Sequence, residues 1–152
     1  MTSESIVDLT ARVVACLTPD LLLRNFRYDL RPQIVAQPPW PRPADPRAAV
    51  AGHCYVASEV LFHLGLAQAG YRPKRVAVPW PSPEGIASHV SHWYLENALG
   101  EIVDATAGQF LEPVSYHGGR GCGFLTRRPS LRAQVLINRV RGLDKEIVWP
   151  SR

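Results

Sequence analysis

The chain has 152 residues, 46% of them hydrophobic and 20% charged, with a formal net charge of +4. That length supports one domain with a real core and is short for two, and the composition is globular rather than disordered. No apolar run approaches the roughly 20 residues of a membrane span, and Met1 to Ser5 carry neither the basic region nor the apolar core of a signal peptide, so the expected location is cytoplasmic.

Ser3 is placed to cap a first helix whose apolar face is Ile6, Val7, Leu9, Val13, Val14 and Leu17. Thr18-Pro19-Asp20 reads as a second start, with Thr18 as cap and Pro19 at the first helical position, leading into a short buried helix through Leu21, Leu22 and Leu23. Residues 25–49 change character: six prolines fall between Pro32 and Pro46, which excludes a long helix or a central strand. Trp40 and Gln37 suit a loop lying over a site, and a plain surface wrap accounts for the segment equally well. The longest helix is predicted from about Gly52 to Ala69, burying Val56, Val60, Leu61, Leu64 and Ala67 and stopping at Gly70. Lys74 to Trp80, Ser88 to Glu96 and Glu101 to Ala105 alternate as strands, with turn chemistry at residues 81–85 and 97–100. After Thr106 the chain is rich in glycine and irregular, and a last helix runs from Pro129-Ser130 to Gly142. The whole reads as a single domain over residues 1–152. Its core is 50–110, preceded by the Pro-rich loop and followed by a basic, glycine-rich loop and helix over 112–152.

Three cysteines, Cys16, Cys54 and Cys122, are widely spaced without a C-x-x-C pair, which argues against a disulfide framework or a structural zinc site. Cys54 stands out by position. A cysteine in the first turn of a helix faces unpaired N–H groups and the positive end of the helix dipole, and both favour thiolate over thiol. Cys16 and Cys122 have no such setting, and space-filling is the ordinary role of a cysteine. Downstream, His92 and Asp104 fall in neighbouring strands. Asn97 and Gly100 suit a type I turn closed by a left-handed glycine, giving the three-residue loop Ala98-Leu99-Gly100. That loop pairs Asn97 with Glu101 and Tyr94 with Asp104, so His92 shares a face with Asp104 one diagonal step away. A two-residue loop would separate them. His89 falls on the opposite face, and His53 and His63 read as bystanders. A metal set of Cys54, His89, His92 and Asp104 is disfavoured, because an H-x-x-H pair on a strand splits across both faces.

With these positions placed, the pattern resembles the transglutaminase-like superfamily of papain-type cysteine enzymes. Gly52-His53-Cys54-Tyr55-Val56-Ala57 is similar to that family's Gly-x-Cys-aromatic start of the nucleophile helix. His92-Trp93-Tyr94-Leu95-Glu96 resembles its histidine strand, and Gly100-Glu101-Ile102-Val103-Asp104-Ala105-Thr106 its Gly-x-x-x-Asp-x-Thr strand. The resemblance spans residues 50–110. It implies an α+β fold, a Cys-bearing helix packed on a small antiparallel sheet carrying His and Asp. It also implies chemistry on an amide or acyl bond through a thioester, by hydrolysis or transfer, without a cofactor. The family's oxyanion-stabilising residue upstream of the cysteine has no match here.

On this reading Cys54 is the nucleophile, His92 the base and Asp104 the orienter, with Trp40, Tyr55, Tyr94 and Arg120 as candidate substrate contacts. The expected substrate is a peptide, a protein or a small acyl or amide compound. From Glu112 onward eight basic residues stand against three acidic ones, so the C-terminal third carries the excess charge. Arg120, Arg127 and Arg128 beside a cleft would orient one anionic group, whereas duplex binding needs a stripe of phosphate contacts. The alternative is a binding module of the same fold, with an idle triad and a basic surface for an acidic partner or nucleic acid.

Overall fold

The computed structural model describes residues 1–23, 45–81 and 87–143. Among them are four α-helices: α1 (Ser3–Ala15), α2 (Asp20–Leu23), α3 (Cys54–Leu61) and α4 (Leu131–Val140). Strands β1 (Arg72–Pro81), β2 (Ala87–Glu96), β3 (Ile102–Val103) and β4 (Arg120–Gly121) form one antiparallel sheet in the order β3-β2-β1-β4. The class is α+β. Most of the Pro-rich stretch, with Trp40 and Gln37, lies outside the described residues, as do the turn at 82–86 and residues 144–152.

The N-terminal helix starts one residue early. Thr2, not Ser3, is the cap, in extended conformation with its side chain accepting from the Ser5 N–H at 3.2 Å. Leu9 and Val13 are buried and Ile6 packs beside them, but Val7 is 66% exposed. The stripe Ile6-Leu9-Val13-Leu17 follows one helical face, and Val7 stands about 100° off it.

The long central helix is also modified. Regular α-helix ends at Leu61, and Phe62–Leu66 form a π-helical turn in which Gly65 has φ 138°. A Cβ at Gly65 would come within 2.7 Å of the Met1 methyl carbon, so the absence of a side chain there permits both the turn and the approach of the N-terminus. Gly70 terminates the segment at φ 90°, as its position predicts.

The β1–β2 hairpin is longer than expected, running from Arg72 opposite Glu96 to Pro81 opposite Ala87. Pro73, Pro79 and Pro81 fit in β1 because β4 covers it only at Lys74 and Arg75, leaving most of it an edge strand. The β2–β3 turn follows its sequence chemistry. Gly100 has φ 79°, its N–H donates to the Asn97 carbonyl at 3.0 Å, and the Asn97 N–H donates to Glu101 at 3.1 Å. Leu95 pairs with Val103 and Glu96 with Ile102, so the register sets Tyr94 against Asp104. Strand β4 lies where glycine content predicts irregular chain.

Each face of the sheet is covered. Leu95 belongs to the larger core with Leu9, Val13, Val56, Val60, Leu61 and Leu136, so the helices pack on that side. Val76, Val78 and Tyr94 form a smaller core under Phe110, Val114 and Tyr116, supplied by the segment after Asp104. No helix among the described residues is long and apolar enough to cross a membrane.

Candidate functional site

The hairpin brings His92 and Asp104 into contact. His92 Nε2 lies 2.6 Å from Asp104 Oδ2, with the two side chains only 1% and 4% exposed. Asp104 is held from several directions. Its Oδ2 also accepts from the Tyr116 hydroxyl at 2.7 Å, and its Oδ1 accepts from the Thr106 N–H at 3.0 Å and the Thr106 hydroxyl at 3.5 Å. The Asp-x-Thr spacing thus has a local cause, an Asx turn that aims the carboxylate at the imidazole.

Cys54 enters from the helical layer as the first residue of α3, half-buried, within electrostatic reach of the His92 imidazole. Since Nε2 is engaged by Asp104, Nδ1 is the nitrogen left for sulfur. Burial opposes a charged His92, but the hydrogen bonds and charges of Asp104 and Cys54 outweigh it and hold its pKa up at about 9. These contacts favour the imidazolium form of His92. An imidazolium beside a sulfur at a helix N-terminus is the setting in which a cysteine becomes a nucleophile.

No protein-family model fits this chain, and neither the curated proteins nor the solved structures contain a significant relative. The site is read from its own chemistry.

Gln109 is a member that sequence reasoning missed. It is buried in the 3-10 turn Ala107–Gln109, and its Oε1 accepts from the Gly52 N–H at 3.2 Å. That bond turns its Nε2 toward His92 Nδ1, 3.5 Å away, on the side where Cys54 sits. Tyr116 was missed as well; burial and then Asp104 raise its phenol far above the ordinary range, so it stays a donor. Both lie in irregular chain, where no period marks a residue. Arg132 left a signal. It sits in the buried stripe Arg132-Ala133-Leu136-Ile137-Val140 of α4, where an arginine is out of place.

The other expected site residues are dispersed. Tyr55 packs its ring edge-on against Trp93, at 4.7 Å, and Phe124, at 5.5 Å, while its hydroxyl accepts from the Leu125 N–H at 2.8 Å. Tyr94 has no surface to offer a substrate. It is fully buried because its position on β2 points it beneath Gly119 and against Tyr116, 4.7 Å between ring centroids. Arg120 is exposed on β4 opposite Arg75, with β1 between it and the histidine strand. Arg127 and Arg128 are exposed in a loop anchored to α3 at both ends, by Leu125 on Tyr55 and Ser130 on Glu59. His89 is exposed on the face opposite His92. His53 is buried, and burial and then the charge of Arg132 push its pKa down to about 4. Among the described residues no group of three or more His, Cys, Asp or Glu is arranged to hold a metal ion.

Proposed function

We propose that the protein is a cysteine enzyme of the transglutaminase-like kind, cleaving or exchanging an amide or related acyl bond through a thioester. The observation that carries this reading is the buried His92–Asp104 pair, with Cys54 at the start of α3 within electrostatic reach of the imidazole. Taking an imidazolium and a carboxylate out of water costs several kcal/mol per ion. A packing role would be filled more cheaply by apolar side chains, and a surface binding role does not need the pair at all.

In the reaction, the Cys54 thiolate adds to the carbonyl carbon and the carbonyl oxygen becomes an oxyanion. The backbone N–H of Cys54, one of the unpaired donors of the first helical turn, and Gln109 Nε2 are positioned to receive that charge. His92 gives its Nδ1 proton to the leaving amine or alcohol as the carbon–heteroatom bond breaks, leaving a thioester on Cys54. It then takes a proton from water or an acceptor amine, which attacks the thioester and frees the thiolate. Asp104 keeps Nε2 protonated and the ring oriented throughout.

Limiting iodoacetamide at neutral pH, followed by mass spectrometry, tests the assignment. Cys54 is expected to label at least about tenfold faster than Cys16 or Cys122, and His92→Ala to remove that advantage. Cys122 is a suitable internal control, since burial raises its thiol pKa. Equal labelling of the three cysteines would overturn the reading.

A further inference from the structure

Two buried polar groups near the start of α3 take no part in the triad. Arg132, in the first turn of α4, is 8% exposed, with Cζ 5.9 Å from the centroid of the Tyr55 ring. Its one hydrogen bond among the described residues is a long one, from NH1 to the Leu21 carbonyl at 3.4 Å. No carboxylate among those residues reaches it within ion-pair distance. Glu59 acts on it only through space, because both Glu59 oxygens are used by Ser130, each at 2.8 Å. The second group is His53, 1% exposed, whose Nδ1 has no hydrogen-bond partner among the described residues. It precedes Cys54 directly and lies within the electrostatic reach of Arg132.

A buried guanidinium is ordinarily matched by an anion in contact. Elsewhere in this protein that rule is followed even near the surface, where Arg139 meets Asp20 at 3.1 Å. Among the described residues Arg132 instead leaves most of its planar fork of donors without a partner, beside the Tyr55 ring and within electrostatic reach of Cys54 and of the His53 imidazole. Such a fork is satisfied by a bidentate oxyanion. We propose that Arg132, with His53 beside it, seats an oxyanionic group, a carboxylate or a phosphate, on the substrate whose carbonyl Cys54 attacks. This rests on the cysteine-enzyme reading and narrows it. The substrate class is acyl or amide compounds with a negative charge a few bonds from the scissile carbonyl. The arginine that selects them is the buried Arg132, not the exposed Arg120.

The test compares alkylation of Cys54 by iodoacetate, which carries a carboxylate, and by neutral iodoacetamide, in the full chain and in Arg132→Gln and Arg132→Lys. Relative to a free thiol, the wild-type protein is expected to favour iodoacetate by about fivefold or more. Arg132→Gln should lose that preference, its iodoacetate rate falling about fivefold further than its iodoacetamide rate, and Arg132→Lys should keep part of it. No preference in the wild type, or an equal fall of both rates in Arg132→Gln, overturns the proposal; the second result would make Arg132 only a thiolate stabiliser. If Arg132→Gln does not fold, acetate competition in the wild type decides. Acetate must slow iodoacetate more than iodoacetamide, and equal effects count against the site. If neither reagent labels Cys54, the enzyme reading fails by itself, and melting temperature then reads the anion site. At constant ionic strength, acetate or inorganic phosphate should raise it over chloride in the wild type and not in the arginine variants. The effective anion separates a carboxylate site from a phosphate site, and no rise with either overturns the proposal.

Discussion

Both oxygens of Asp104 are occupied, by His92 and Tyr116 on one and by Thr106 on the other. A carboxylate so constrained cannot rotate away from the imidazole, which makes it an orienter as well as a counter-charge. The two roles separate in Asp104→Asn, whose amide oxygen still accepts from Nε2 but carries no charge. Followed by NMR, the His92 titration is expected near pH 9 in the wild type and should fall toward the ordinary imidazole value in the variant. The sign is fixed, because Asp104 raises the His92 pKa both by its hydrogen bond and by its charge. An unchanged midpoint would mean that Asp104 does not govern the ionisation of His92. At this scale the sequence was legible where residue type and local setting coincide. Cys54 opens a helix, and the Asn97–Gly100 turn dictates which histidine faces Asp104. Gln109 and Tyr116 acquire their importance only from what the fold sets beside them, so their types alone said little, whereas Arg132 could have been noticed as a charge in the apolar stripe of α4.

Helix α3 does more than present Cys54. Glu59, about one and a half turns from its start and fully buried, accepts from both the backbone N–H and the hydroxyl of Ser130, and the same hydroxyl caps α4 by accepting from the Ala133 N–H. The carboxylate thus anchors the start of α4 and with it Arg132. Glu59→Ala leaves two half-buried Ser130 donors unpaired and removes the nearby negative charge from Arg132. A loss of about 3 kcal/mol is expected in urea unfolding, against less than about 1 kcal/mol for an exposed carboxylate such as Glu101. Near-equal losses would show that this anchor contributes little. The elements themselves were readable wherever hydrophobic period and turn chemistry agreed, as in the β2–β3 hairpin and in α4. They were not readable where tertiary closure decides. Strand β4 exists because residues 120–121 meet the free edge of β1, and the π turn because Gly65 allows Met1 to approach. An interior glycine in the predicted helix was the only local hint of that turn.

Across the whole molecule, two buried histidines shape the dependence of stability on pH in opposite directions. His53 is held neutral, its folded pKa lowered to about 4 by burial first and then by Arg132. Between its unfolded value near 6.5 and that folded value, the unfolded chain binds a proton that the native state refuses. The His53 contribution is therefore full above about pH 6.5 and is lost as the pH falls toward 4. His92 is the reverse, its burial outweighed by Asp104 and Cys54 so that its folded pKa lies at about 9. The native state then holds the extra proton. Its contribution is complete below about pH 6.5 and disappears as the pH rises through 9. Each limb amounts to a few kcal/mol at most, and together they predict a stability maximum near pH 6.5. Asp20, with its lowered pKa, acts in more acidic solution, while Tyr116 and Cys122, both raised, act in more alkaline solution. Urea unfolding from pH 4.5 to 8.5 checks this, with one variant for each limb. His53→Gln should flatten the acid side and His92→Gln the alkaline side, each leaving the other slope in place. If His92→Gln left the alkaline slope intact, the imidazolium would not be a native-state feature, and the proton assigned to the Cys54–His92 pair would have to be placed elsewhere.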